Sequence, residues 1–112
     1  MAIMRLNVVR GLTLAVIAAS LACWSTPAAA DDAATYKSKC AMCHGADGAG
    51  STPAGKSMGA KDFRSPDVVK ESDADLQTAI ENGRNKMPAY KGKLTAGDIG
   101  GLVKYIRQLQ GK

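Results

Sequence analysis

The chain has 112 residues, enough for one domain, with 15 Lys+Arg against 10 Asp+Glu and a net charge of +5. The basic residues are scattered rather than clustered, which argues against a nucleic-acid partner. One histidine and three cysteines are too few to complete a zinc site, because only Cys40, Cys43 and His44 lie outside the leader described next.

Residues 1–30 read as a secretory signal that is cleaved after Ala30. Arg5 and Arg10 charge its start, Leu12 to Ala22 form an apolar run of 11 residues, and Thr26-Pro27-Ala28-Ala29-Ala30 offers small residues for cleavage. An apolar run that short falls below the roughly 20 residues of a membrane span. The leader has no arginine pair, so export in an unfolded state is expected. Residues 31–112 are then the functional domain, 82 residues with 13 Lys+Arg against 10 Asp+Glu. Its aromatics are only Tyr36, Phe63, Tyr90 and Tyr105, a marginal core for a domain of this size.

Asp31 or Asp32 can cap a helix that runs through Tyr36 and Lys39 into Cys40-Ala41-Met42-Cys43-His44. Two cysteines three positions apart with histidine directly after the second read as a c-type haem attachment site. One helical turn presents both sulfurs on one side, where each can add across one of haem's two vinyl groups. His44 supplies a neutral imidazole as the first axial ligand of the iron. A thioredoxin-like pair would instead need a βαβ setting, and this motif runs into the loop Gly45-Ala46-Asp47-Gly48-Ala49-Gly50. A buried porphyrin would also supply the apolar bulk that the chain lacks, so the haem-free chain is expected to be largely unfolded.

Gly45 to Gly59 reads as an irregular loop, in which Pro53 could offer its carbonyl to His44 and so orient the imidazole. Asp62 to Lys70 suits a short helix with Ser65 as cap and Pro66 at its first position. Ser72-Asp73-Ala74-Asp75 resembles a capping box, with Leu76, Ala79 and Ile80 following at helical spacing and Gly83 as terminator. Asn85 tolerates left-handed backbone. The last helix opens at Thr95, with Asp98 three residues on, and carries the stripe Ile99, Leu102, Val103, Ile106 and Leu109. Gly100 and Gly101 weaken it by roughly 1 kcal/mol each relative to alanine, which a close approach at the glycines would explain. Tyr105 is a candidate to pack on Tyr36. No repeat and no strand pattern stand out.

With no second histidine, methionine is the natural second axial ligand, since a soft thioether favours Fe(II). Met42 lies inside the attachment turn, and Met58 sits among Gly, Ser and Lys with nothing to hold it. Met87 follows a helix stop and precedes Pro88, so its backbone is placed and stiffened.

Cys40-Ala41-Met42-Cys43-His44, then Asn82-Gly83 leading to Lys86-Met87-Pro88-Ala89-Tyr90, then Leu94-Thr95 and Tyr105-Ile106-Arg107, resemble a small bacterial class I cytochrome c over nearly all of 31–112. The resemblance implies an all-α fold of three to four short helices around one covalently bound haem c, with the first and last helices crossing. It implies attachment through Cys40 and Cys43, His44 and Met87 as axial ligands, and Pro53 as carbonyl partner of the histidine. Ala33 and Ala34 stand where relatives often have glycine at the helix crossing, and Asn85 and Tyr90 where glycine and phenylalanine are frequent.

The expected function is one-electron carriage between redox proteins of a respiratory or photosynthetic chain, not catalysis. The expected protein is a monomer in the periplasm, or in a thylakoid lumen if photosynthetic, with no membrane span after processing and no nucleic acid. Lys56, Lys86, Lys91 and Lys93 are the expected rim for partners with acidic docking faces. A small peroxidase or a haem-based ligand sensor are the alternatives, and each would require the methionine to leave the iron.

Overall fold

The computed structural model describes residues 28–111. Six helices follow in order: α1 (Ala28–Lys39), α2 (Ala41–His44), α3 (Pro53–Met58), α4 (Pro66–Val69), α5 (Asp73–Asn82) and α6 (Ala96–Leu109). Among the described residues there is no strand, so the all-α expectation holds. The helix count exceeds the expected three to four because α2 and α4 are single turns and α3 forms inside the glycine-rich stretch. That segment has a proper start and stop. Thr52 Oγ1 accepts from the Gly55 N–H at 2.9 Å, Pro53 takes the first position, and Gly59 ends it in left-handed geometry at φ 72°.

Residues 1–27 of the expected leader lie outside the described residues. α1 is already helical at Ala28, so neither Asp31 nor Asp32 opens it. α5 and α6 begin as their sequences suggest. Ser72 Oγ accepts from Asp75 N and the Asp75 carboxylate accepts from Ser72 N, while Thr95 and Asp98 make the same reciprocal pair. α4 starts after Ser65, but that hydroxyl donates to the Asp62 carbonyl at 2.7 Å rather than capping the helix.

The apolar stripe of α6 buries Ile99, Leu102, Val103 and Ile106, with Leu109 half-buried at the edge. α5 turns Leu76 and Ile80 onto it, and α1 crosses it. Arg107 ties the two ends together, its Nε donating to Asp73 at 2.9 Å and another nitrogen donating to the Glu71 carbonyl. Tyr105 does pack on Tyr36, with ring centroids 4.8 Å apart. At the α1–α6 crossing the small residue lies on α6. The Asp32 side chain rests where a Cβ of Gly101 would stand, whereas Gly100 faces open space. The close approach expected at the glycine pair therefore involves a side chain of α1, and only one of the two glycines.

Two stretches of loop are drawn back onto this frame. After Gly83, the 84–87 turn closes by bonds between Arg84 and Met87 (N to O 3.3 Å, and 2.9 Å in return), with Asn85 at φ 54° inside it. The chain then returns to α5, where Tyr90 N and Lys91 N donate to Ile80 O and Glu81 O, both at 3.0 Å. Those are carbonyls that a helix end leaves without partners.

Candidate functional site

α1 runs almost directly into α2, and Cys40 sits at the joint. Cys40 N bonds to Tyr36 O at 2.8 Å and His44 N bonds back to Cys40 O at 2.9 Å. This winding places Cys40 and Cys43 one turn apart, both half-buried and neither in a disulfide. Burial, and then the neighbouring Cys43, push the Cys40 thiol up to about 11, so it stays protonated at neutral pH. His44 is lowered below its ordinary 6.5 by burial and is a neutral imidazole.

Three groups hold this turn in place. The Tyr36 hydroxyl, raised out of its titration range chiefly by burial, donates to Gly45 O at 2.6 Å. Thr52 Oγ1 lies 2.7 Å from Met42 O and 3.0 Å from Cys43 O, and shares its proton between them. α3 presses against α2 closely enough that a Cβ on Gly55 would overlap the Cys43 carbonyl.

Cys40, Cys43 and His44 face a cavity of about 460 Å³. Its inner wall is Tyr36, Phe63, Val68, Leu76, Ala79, Ile80, Leu102 and Ile106, and its outer side carries Met58, Met87 and Pro88. The volume lies within the range of ligand sites, and so does the pattern of an apolar lining with few polar groups. Met87 is half-buried and packed against the core on its hydrogen-bonded turn. Met58 is 43% exposed and Met42 78% exposed. Tyr90, beside them, donates its hydroxyl to Lys39 O at 3.0 Å and so fastens the methionine loop to the end of α1. Burial first, then the two cysteines, raise Tyr90 above its usual value.

The contact expected between the Pro53 carbonyl and His44 is not made among the described residues. His44 Nδ1 is buried and has no hydrogen-bond partner among the described residues, and Pro53 does not line the cavity. Pro53 takes the first position of α3. Phe63 meets the imidazole instead, its ring stacked on His44 with centroids 4.6 Å apart and planes at 27°. Of the four lysines expected at the rim only Lys86 lines the cavity; Lys39, Lys61 and Arg84 join it there, with Arg84 paired to Glu71 at 2.6 Å. The sequence carried no signal for Phe63 or Thr52 as parts of the site. Neither stands at a diagnostic spacing from the motif.

The residues fit a haem. Two thiols one turn apart match its two vinyl groups, a half-buried neutral imidazole and a thioether face the same space, and the inner wall of that space is largely apolar. A helical shell built this way defines a small class I cytochrome c. The comparisons agree. The chain belongs to the family described as cytochrome c oxidase, cbb3-type, subunit III, whose profile matches residues 27–106. Among solved structures it is similar to the KustC0563 c-type cytochrome, at 31% identity and a TM-score of 0.65, over 70% of this chain and 96% of that one. It is likewise similar to a tyrosine-to-phenylalanine mutant of Kustc0563, at 31% identity and a TM-score of 0.64, over 70% and 98%. No curated protein matches. Membership brings covalently bound haem c and the work of a haem-based electron carrier rather than an enzyme. None of the described helices is long and apolar enough to cross a membrane.

Proposed function

We propose that the chain is an exported periplasmic carrier that passes single electrons between redox proteins, with Cys40 and Cys43 as the thioether attachments and His44 and Met87 as axial ligands. The observation that carries this reading is the convergence of both thiols, His44 and Met87 on one apolar cavity. The haem supplies the Fe(III)/Fe(II) couple. The protein's part is to hold that group still and dry. Cys40 and Cys43 would hold the group by addition of each S–H across a vinyl double bond, a reaction that releases no leaving group. His44, kept neutral by burial, presents a lone pair without first losing a proton. Met87 offers a soft sulfur that favours the reduced state, and the Arg84–Met87 bonds together with the Tyr90–Lys39 bond restrain its loop in both states. The buried aliphatic wall excludes water, which limits how much solvent must rearrange when the charge changes.

What supports Met87 over Met58 is its seating: Met87 packs on the core, while Met58 ends a six-residue helix and is more exposed. The leader 1–30 would be removed on export, leaving a monomer whose cationic rim suits acidic faces on its partners. The family's description names an oxidase subunit, so a terminal oxidase belongs among the acceptor classes. A thylakoid lumen would suit the same chemistry.

The test is an absorption spectrum of the exported protein, oxidised and reduced, with Met87→Ala and Met58→Ala alongside. A low-spin c-type spectrum whose weak far-red sulfur-to-iron band vanishes in Met87→Ala and persists in Met58→Ala is expected. A high-spin wild type would sink the carrier reading and turn attention to ligand binding and peroxide chemistry. The mass of the exported chain, less residues 1–30, checks processing.

A further inference from the structure

A second cavity, of about 410 Å³, lies outside the site described above and shares a single wall residue with it, Tyr36. Its volume falls in the range of small-molecule sites, roughly 300–1,000 Å³. The hollow exists because alanines line it. Ala33 and Ala34 come from α1, Ala41 from α2, and Ala46 from the loop that follows His44. Ala33, Lys37 and Ala41 stand four residues apart, on one face of the winding that the bond from Cys40 N to Tyr36 O carries from α1 into α2. A longer side chain at any of the alanines would occupy the space.

The rest of the lining is aromatic, with one charge. Tyr36 and Tyr105 lie with ring centroids 4.8 Å apart and planes at 43°. Tyr36 is buried and its hydroxyl is fixed on Gly45 O, whereas Tyr105 is half-buried on α6. The pair is therefore a fixed aromatic surface, and such a surface favours another ring in offset or edge contact. Lys37 is exposed and is the charged member of the lining, which contains no carboxylate. The acids nearby are engaged elsewhere. The Asp47 side chain accepts from Ala49 N–H at 3.0 Å within its own loop, and the Asp32 side chain rests against Gly101.

We infer that this cavity binds a planar aromatic anion, its ring against Tyr36 and Tyr105 and its charged group at the Lys37 ammonium. The class includes small sulfonated or carboxylated quinones. Because the Tyr36 ring belongs to both walls, a ligand seated here lies one side chain from the haem cavity. The inference does not depend on which sulfur binds the iron.

The experiment titrates naphthalene-2-sulfonate into the reduced holoprotein and follows backbone amides by NMR. Saturable shifts are expected at Ala33, Ala34, Lys37, Ala41, Ala46 and Tyr105. Lys37→Gln should weaken the sulfonate about two- to fivefold, as an exposed ion pair is worth, and leave binding of neutral 2-naphthol unchanged. Ala34→Leu should abolish binding of both probes, since Ala34 is exposed on α1 and leucine there suits a helix while filling the seat. Should Ala34→Leu not be recovered as holoprotein, Ala46→Leu makes the same comparison from the loop side. Shifts that do not saturate, or that gather around Lys86 and Met87 at the haem cavity instead, overturn the inference. So does full binding by a leucine variant. Equal loss of the sulfonate and of the naphthol in Lys37→Gln would overturn the role of the ammonium, and with it the anionic class of ligand.

Discussion

Replacing Gly55 by alanine should destabilise the holoprotein, although alanine is the better helix former by about 1 kcal/mol. A Cβ at this position overlaps the Cys43 carbonyl oxygen and stands 2.7 Å from Gly50 O and 3.0 Å from Thr52 Oγ1. Two of these neighbours are backbone carbonyls, which cannot swing aside as the tip of a side chain can. Ordinary carbon-to-oxygen contacts begin near ~3.3 Å, so α3 would have to retreat about 0.6 Å from Gly50 and further from Cys43. That retreat stretches the contacts of Thr52 Oγ1 to Met42 O and Cys43 O, a net loss of about 1 kcal/mol, and adds roughly 1–3 kcal/mol of overpacking. Set against the gain in helix propensity, the balance is about 1–3 kcal/mol destabilising. Guanidinium unfolding of the holoprotein, followed by helical circular dichroism and by haem absorbance, should show a lower midpoint at unchanged slope. Gly100→Ala is the control. A Cβ there meets nothing within 4 Å, so it should raise stability by up to about 1 kcal/mol. Gly55→Ala unfolding at or above the wild-type midpoint, while Gly100→Ala gains as expected, would refute the packing argument.

Tyr90→Phe deletes the bond to Lys39 O, worth about 1 kcal/mol. The far-red band should then disappear at lower denaturant than in wild type, ahead of global unfolding; coincident loss in both proteins would count against a role in holding Met87. Chemical removal of the haem should abolish most of the helical signal, because the wall of a cavity of about 460 Å³ loses its apolar filling; a native-like spectrum from the haem-free chain would contradict this. Asp62 is held below its ordinary 3.8, first by the Arg64 N–H at 2.9 Å and then by the Arg64 side chain. A depressed folded-state value means that its contribution is complete above the unfolded value and is lost as pH falls through the folded one. Asp62→Asn should therefore flatten the acid limb of the melting temperature below about pH 4 and leave neutral pH nearly untouched, as thermal melts across pH will reveal. Glu71→Gln and Arg84→Ala in a double-mutant cycle should return a coupling below about 1 kcal/mol, as expected of a pair open to solvent; a coupling above about 2 kcal/mol would assign the pair a larger role.

The sequence alone determined what depends on residues a few positions apart. The capping boxes at Ser72 and Thr95 are closed between residues three apart, so their types suffice to place the starts of α5 and α6. The stripe along α6 follows from helical periodicity, and the turn at Cys40–His44 from the spacing of its two thiols. Even α3 had its signals in Thr52, Pro53 and Gly59, masked by the glycine and serine around them. Tertiary structure decided whatever joins separate stretches. It set Asp32 over Gly101 rather than at a helix cap, and brought Phe63 onto His44 across eighteen intervening residues. Such contacts have no period and no spacing rule. They arise because a small chain must close its core around one large apolar space, and the side chains that meet there are selected by shape and reach.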